Sequence, residues 1–149
     1  MNRYNFATAT DQDLREWDGF VQRSINGTIF SLTSFLRYHG QRFEGYEKFV
    51  VVKKKNTTVG QLNMATSPTE PEIVRSPYGG SFGGLVLRQS PSLTEARSVV
   101  AALGEYLLQN NFRKFVAVSC PYPLTQAPLD TLALAFMEAG GSVKPQEVT

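Results

Sequence analysis

The sequence predicts an α/β domain built on a mixed, mainly antiparallel sheet with helices on both faces. Three observations carry this expectation. Two adjacent runs of strand formers, Tyr46–Lys54 and Thr57–Ala65, are separated by Lys55-Asn56, the pattern of a hairpin. Two helical stretches open with capping patterns, Thr10 with Asp13 and Ser92 with Glu95, and then carry apolar residues at helical spacing. A compact apolar run, Phe115–Ser119, follows the second of these helices, so a helix crosses between strands, as in a mixed sheet.

Taken in order, residues 4–9 alternate weakly and form a short first strand. Residues 11–24 are an amphipathic helix whose stripe is Leu14, Trp17, Phe20 and Val21, stopped by Asn26-Gly27. Thr28–Leu32 leads into a short helical piece, Ser34–Tyr38, which ends at His39-Gly40. After the hairpin, Thr66–Pro71 reads as a loop, because two prolines so close exclude regular structure. A third strand, Glu72–Ser76, runs into Pro77-Tyr78-Gly79-Gly80-Ser81-Phe82-Gly83-Gly84, and Leu85–Leu87 resumes as extended chain. The helix after Ser92 places Leu93, Ala96, Val99, Val100, Leu103 and Leu107 on one face and ends near Asn110-Asn111. Pro128–Ala139 is a last helix closed by Gly140-Gly141, with a short polar tail after it.

The chain of 149 residues reads as a single domain, 1–149, long enough to bury a core. Apolar residues are 42% and charged residues 19%, a globular composition with no internal repeat. A net charge of +2 is too mild for a nucleic-acid partner, and the one basic run, Lys53-Lys54-Lys55, sits at the hairpin turn and reads as solvated. Cys120 is alone and has no disulfide partner, the first residues Met1–Asn5 lack a signal-peptide profile, and no apolar run approaches the roughly 20 residues that cross a bilayer. A cytoplasmic protein, away from membranes, is the expectation. One histidine and one cysteine far apart give no metal-ligand spacing, so no metal is expected.

The glycine-rich segment is the stretch that points to chemistry. Four glycines within six residues admit positive φ and close approach of a ligand or another backbone, and Tyr78 and Phe82 stand among them. Two explanations fit: a binding surface where amides and rings meet a ligand, at Tyr78, Gly79, Gly80, Ser81 and Phe82, or a bulged strand end whose aromatics cap the sheet. Gly79-Gly80-Ser81-Phe82-Gly83 spells the serine elbow of α/β-hydrolases, but that fold needs a histidine downstream and the only histidine, His39, lies upstream. No Gly-Lys-Ser/Thr follows the glycines, which removes a phosphate loop, and no G-x-G-x-x-G opens a helix. His39 is a candidate general base, against the plainer role of a structural hydrogen bond at a helix end. Cys120, ending an apolar strand before Pro121-Tyr122-Pro123, reads as a buried, inert thiol.

Trp17-Asp18-Gly19-Phe20-Val21, Gly27-Thr28-Ile29-Phe30-Ser31, Phe35-Leu36-Arg37-Tyr38-His39 and Ser76–Gly84, in that order, resemble the FemAB-like branch of the GNAT acyltransferase superfamily. The resemblance covers most of residues 15–120, including Glu95-Ala96 and the helix to Tyr106-Leu107. It implies a GNAT-like fold and an acyl-CoA N-acyltransferase-like domain that transfers an acyl group to an amine-bearing small molecule, or descends from one that did. Such proteins usually carry two lobes, and this chain resembles the first, which implies a homodimer or a second lobe in trans. In active GNAT domains an Arg/Gln-x-x-Gly-x-Gly/Ala loop before a helix holds the pyrophosphate of acyl-CoA on its amides. Here Leu87-Arg88-Gln89-Ser90-Pro91-Ser92 occupies that place without a glycine, and Pro91 lacks the amide proton. The alternative the resemblance leaves open is a non-catalytic lobe that binds a small-molecule amine or aminoacyl ligand, or pairs with a copy of itself.

Overall fold

The computed structural model describes residues 3–122 and 124–142; Met1, Asn2, Pro123 and the tail from residue 143 lie outside them. The strands are β1 (Tyr4–Thr8), β2 (Glu47–Lys54), β3 (Thr57–Ser67), β4 (Glu70–Ser76), β5 (Val86–Leu87) and β6 (Lys114–Ala117), and the helices are α1 (Asp11–Arg23), α2 (Thr33–Arg37), α3 (Leu93–Gln109) and α4 (Asp130–Glu138). Ile29–Ser31 adds a 3-10 turn. The sheet order is β1-β2-β3-β4-β6, with β5 also on β3. Among the described residues only the β4–β6 pair is parallel. The mixed, mainly antiparallel sheet expected from the sequence is the one observed.

Alternation along the strands feeds two cores. Val50, Val52, Leu62, Met64 and Val74 point to the face covered by α3 and α4, where they meet Ala96, Val99, Leu103 and Leu132. Val51 and Phe49 point the other way, against Trp17 and Val21 of α1. A third cluster on that second face joins Leu36 of α2, Ala65 and Tyr78. Helices thus cover both faces.

Local sequence sets the helix starts. Thr10 accepts from the Asp13 amide at 3.1 Å while the Asp13 carboxylate accepts from the Thr10 amide at 2.9 Å, and Ser92 and Glu95 repeat the arrangement on α3. The buried stripe of α1 is Asp13, Trp17, Phe20 and Val21, whereas Leu14 is exposed. Asp13 takes the inner place as the N3 residue of the Thr10 capping box, and Lys53 lies 3.5 Å from its carboxylate. Lys53 is therefore half-buried and paired, and Lys54 lies 4.0 Å from Glu95, so among the described residues only Lys55 of the basic run is a free-standing turn residue, at φ +58°.

The loop expected over Thr66–Pro71 is a correction. β3 continues to Ser67 and β4 starts at Glu70, leaving Pro68-Thr69 as a tight turn closed by the Ser67 hydroxyl accepting from the Glu70 amide at 3.2 Å. Pro71 is tolerated inside β4 because pairing with β6 starts only at Ile73, so its missing N–H breaks no bond on that side. The last strand is likewise shorter than expected, Lys114–Ala117, and the last helix begins at Asp130.

Leu62 is fully buried at the centre of the larger core. Leu62→Ala should destabilise the protein by about 2–5 kcal/mol in urea unfolding, a cost under about 1 kcal/mol contradicting this packing. Ser92→Ala should cost about 1 kcal/mol in the same measurement through loss of the α3 cap.

Candidate functional site

β4 and β5 are two halves of one strand lying along β3. Arg75 pairs with Ala65 and Val86 pairs with Gln61, and residues 77–85 leave the sheet between them. This excursion is the glycine-rich segment. Its base is fastened by Ser76, almost fully buried, whose hydroxyl donates to the Asn63 carbonyl and accepts from the Gly84 amide at 2.8 Å. The parallel ladder with β6 passes across the break: the Val118 amide donates to the Ser76 carbonyl at 2.9 Å, and the Gly83 amide donates to the Val118 carbonyl at 2.7 Å. On the far side, the Asn26 side chain imitates a strand, its amide nitrogen donating to Leu85 O at 2.7 Å and its oxygen accepting from Leu87 N at 2.8 Å.

Gly83 shows why glycine is required. A Cβ there would lie 2.6 Å from the Ser76 carbonyl carbon and closer still to the Pro77 nitrogen, both backbone atoms that cannot rotate away. Gly79, at φ +74°, lies against the His39 ring.

Above the break lies a recess bounded by the excursion on one side and by α1, the 3-10 turn and α2 on the other. Its cavity volume is about 20 Å³, room for roughly one water-sized group. Tyr78, Gly80 and Phe82 line it, together with Trp17, Phe30 and Phe35, whereas Gly79 and Ser81 of the segment do not. Ser81 is exposed. Phe30 meets Phe35 edge-on at 4.9 Å between centroids and reaches Phe82 at 6.2 Å.

Tyr78 is both a wall of this recess and a core residue of the α2 cluster. Its hydroxyl donates to the Glu47 carboxylate at 2.8 Å. Burial and then that bond push its pKa far above the phenol's ordinary value, so it stays a neutral donor and does not act as a base. His39 sits between Phe35, Phe43 and Tyr78, at 5.6, 4.9 and 5.9 Å, and its Nε2 is buried with no hydrogen-bond partner among the described residues. The structural hydrogen bond expected of it is therefore absent at Nε2, and the ring does not line the recess. Cys120 is half-buried, and burial raises its thiol pKa, which keeps it protonated.

Two polar residues of the site were not singled out from the sequence: Gln61 and Asn63 on β3. Gln61 is almost fully buried. Its Nε2 donates to Trp17 O at 3.2 Å, and its Oε1 has no partner among the described residues. The signal was present in the alternation Gly60-Gln61-Leu62-Asn63-Met64. On the α1 face of this strand Gln61 is buried and Asn63 half-buried.

The resemblance places the pyrophosphate of acyl-CoA at the start of α3, and the residues there do not fit it. The Glu95 carboxylate folds back onto the helix N-terminus, accepting from the Ser92 amide at 3.1 Å and from the Tyr4 hydroxyl at 3.2 Å. The Glu95 amide is itself occupied by the Ser92 hydroxyl at 3.1 Å. A diphosphate would meet a fixed negative charge where it needs amide donors. Among the described residues no cluster of metal-ligating side chains occurs, and no helix is long and apolar enough to cross a membrane.

The Ser92 amide, followed by its hydroxyl, and more weakly Tyr4 and Lys54, hold the Glu95 carboxyl below its ordinary pKa against a smaller upward push from burial. A carboxyl with a lower pKa folded than unfolded stabilises above the unfolded value, and that stabilisation is lost as pH falls through the folded one. Below about pH 5 the native protein should therefore lose stability more steeply than Glu95→Gln, measured as urea midpoints across a pH series. Equal slopes would contradict the self-capped helix.

No protein-family model matches the sequence, and neither does any curated protein. Solved structures do match. An aminoglycoside antibiotic 6'-N-acetyltransferase from Acinetobacter haemolyticus aligns with a TM-score of 0.52 over 97% of this chain and 94% of that one, at 11% identity. A Thermus thermophilus protein gives 0.51 over 97% and 94%, at 14% identity. A predicted acetyltransferase from Clostridium acetobutylicum, solved with acetyl-CoA, gives 0.50 over 98% and 94%, at 8% identity. At such identities the likeness is one of architecture, and the six-stranded sheet with its covering helices has the GNAT-like acetyltransferase fold.

Proposed function

We propose that this chain is an acyl-CoA N-acyltransferase-like domain that binds an amine-bearing small molecule in the recess beside Tyr78, Gly80 and Phe82, and does not transfer an acyl group on its own. The observation that carries this reading is the Glu95 carboxylate seated on the N-terminus of α3, in a fold whose relatives by structure include an acetyl-CoA complex. The small recess lies beside the glycine-rich segment, and at the start of α3 the Ser92 and Glu95 amides are already taken by the helix's own cap. Amines come into the proposal from the neighbours' printed activity, acetylation of aminoglycosides at nitrogen, and from the sequence resemblance. The FemAB-like branch rests on that resemblance alone.

Calorimetric titration with acetyl-CoA should give no saturable heat, even at millimolar ligand. Saturable heat together with acetyl transfer to an amine would overturn the non-catalytic reading.

A second reading, in which a partner completes the domain, is favoured by a specific surface. β6 pairs with β4 on one side only among the described residues, and Tyr122, Leu124, Leu134 and Met137 are exposed on the segment after it and on α4. A second copy covering this side makes a homodimer. Sedimentation velocity should then show a dimer that Leu134→Glu combined with Met137→Glu converts to monomer. A native protein that sediments as a monomer at all concentrations would remove the pairing.

A further inference from the structure

A second opening lies at the end of the sheet where β2 begins, between the start of α1 and the end of α3, and it shares no lining residue with the recess. Its volume is about 560 Å³, inside the roughly 300–1,000 Å³ range of small-molecule sites. Leu14, Phe49, Tyr106 and Phe112 supply apolar wall, and Thr8, Thr66 and Asn110 bring hydroxyls and an amide to it. Among the described residues, Lys48 and Glu47 are the charged groups that line it.

Strand alternation separates those two charges. Lys48 shares the α3 face of β2 with Val50 and Val52, and its ammonium lies 5.6 Å from the centroid of the Phe112 ring. Glu47 goes with Phe49 and Val51 to the other face, where its carboxylate accepts from the Tyr78 hydroxyl at 2.8 Å. The strand carries two more lysines, and both have carboxylates beside them: Asp13 lies 3.5 Å from Lys53, and Glu95 lies 4.0 Å from Lys54. Lys48 is half-buried and has no carboxylate within 4.0 Å among the described residues. An ammonium partly withdrawn from water, seated over a ring and lacking a counter-charge, favours an anion beside it.

The rest of the groove sets the kind of anion. Its aromatic and aliphatic wall suits an apolar body. Glu47, lining the same groove, opposes a second negative charge, so one carboxylate fits better than a phosphate dianion. A cationic ligand would meet Lys48 as a like charge and find the Glu47 carboxylate already turned to Tyr78.

We propose that this groove binds a small monocarboxylate, with its carboxylate paired to the Lys48 ammonium and its apolar body lying along the wall beside Phe112. The site is separate from the recess, so the inference stands apart from the amine-binding reading.

Titration of the isotope-labelled protein with phenylacetate should move the backbone amides of Lys48, Asn110 and Phe112 saturably in a proton–nitrogen correlation spectrum. Phenethylamine, with the same ring and a cationic end, should bind about tenfold or more weakly, and phenyl phosphate, with its second negative charge, should also bind less tightly than phenylacetate. Lys48→Met keeps the chain length and removes the charge. It should weaken phenylacetate about tenfold or more, the loss expected of one charge-assisted hydrogen bond, whereas Lys48→Arg should retain most of the affinity.

Amides unmoved by millimolar phenylacetate would overturn the inference, as would phenethylamine or phenyl phosphate binding as tightly, or unchanged affinity in Lys48→Met. The comparison of the three ligands uses the native protein, so it decides the question even where Lys48→Met does not fold.

Discussion

The interruption of one strand governs everything above the sheet. A sheet that loses residues 77–85 from its fourth strand would ordinarily lose the ladder on both sides. Here Ser76 joins the two ends: its hydroxyl spans the Asn63 carbonyl and the Gly84 amide, and its carbonyl receives the Val118 amide. Gly83 then takes over the ladder to Val118. Each such bond adds about 1 kcal/mol net, yet leaving these buried groups unmet would cost more than their pairing gains. The glycine at 83 follows from this, because chain and returning chain pass too closely for a Cβ.

Coverage of both sheet faces turns that break into a recess. With α3 and α4 on one face and α1 and α2 on the other, Gln61 in the middle of β3 is buried and Asn63 half-buried beside the gap. Packing alone would place valine or leucine there, as at Val51 on the neighbouring strand. A buried glutamine holding one bond and lacking another is stable only because the surrounding core offsets it. A fold that retains such a group next to an opening has kept polarity where packing alone would remove it.

Much of this is legible in the sequence where the determinant is local. The capping pairs Thr10–Asp13 and Ser92–Glu95, the Lys55-Asn56 hairpin and the stripe Ala96, Val99, Val100, Leu103 are set within a few residues, and they appear as expected. What failed depended on partners distant in the chain. Pro71 reads as a breaker, but whether proline breaks a strand depends on which neighbour needs its N–H, and β6 begins one step too late to need it. Leu14 fits the helical stripe of α1 by spacing, yet Asp13 holds the inner place, capped by Thr10 and paired with Lys53 of β2. Gln61 looks like the wet side of a strand until both faces prove covered. The glycine segment is recognisable as unusual, but its spelling does not show that it is an insertion between two halves of a strand; the register of β3 does.

The same distinction explains why the start of α3 can be judged from the chain itself. A helix N-terminus attracts any anion, and the first carboxylate to reach it is usually the one three residues along. In α3 that carboxylate is Glu95, tethered covalently, so its effective concentration at the amides far exceeds that of a free ligand. Tyr4 from β1 and Lys54 from β2 hold it there, tying the cap to the far edge of the sheet. Displacing it would break the Ser92 and Tyr4 hydrogen bonds before any phosphate contact formed. A diphosphate would have to offset that loss and also do without an amide at Pro91. The capping box that starts the helix is thus the same feature that closes the helix to an incoming anion.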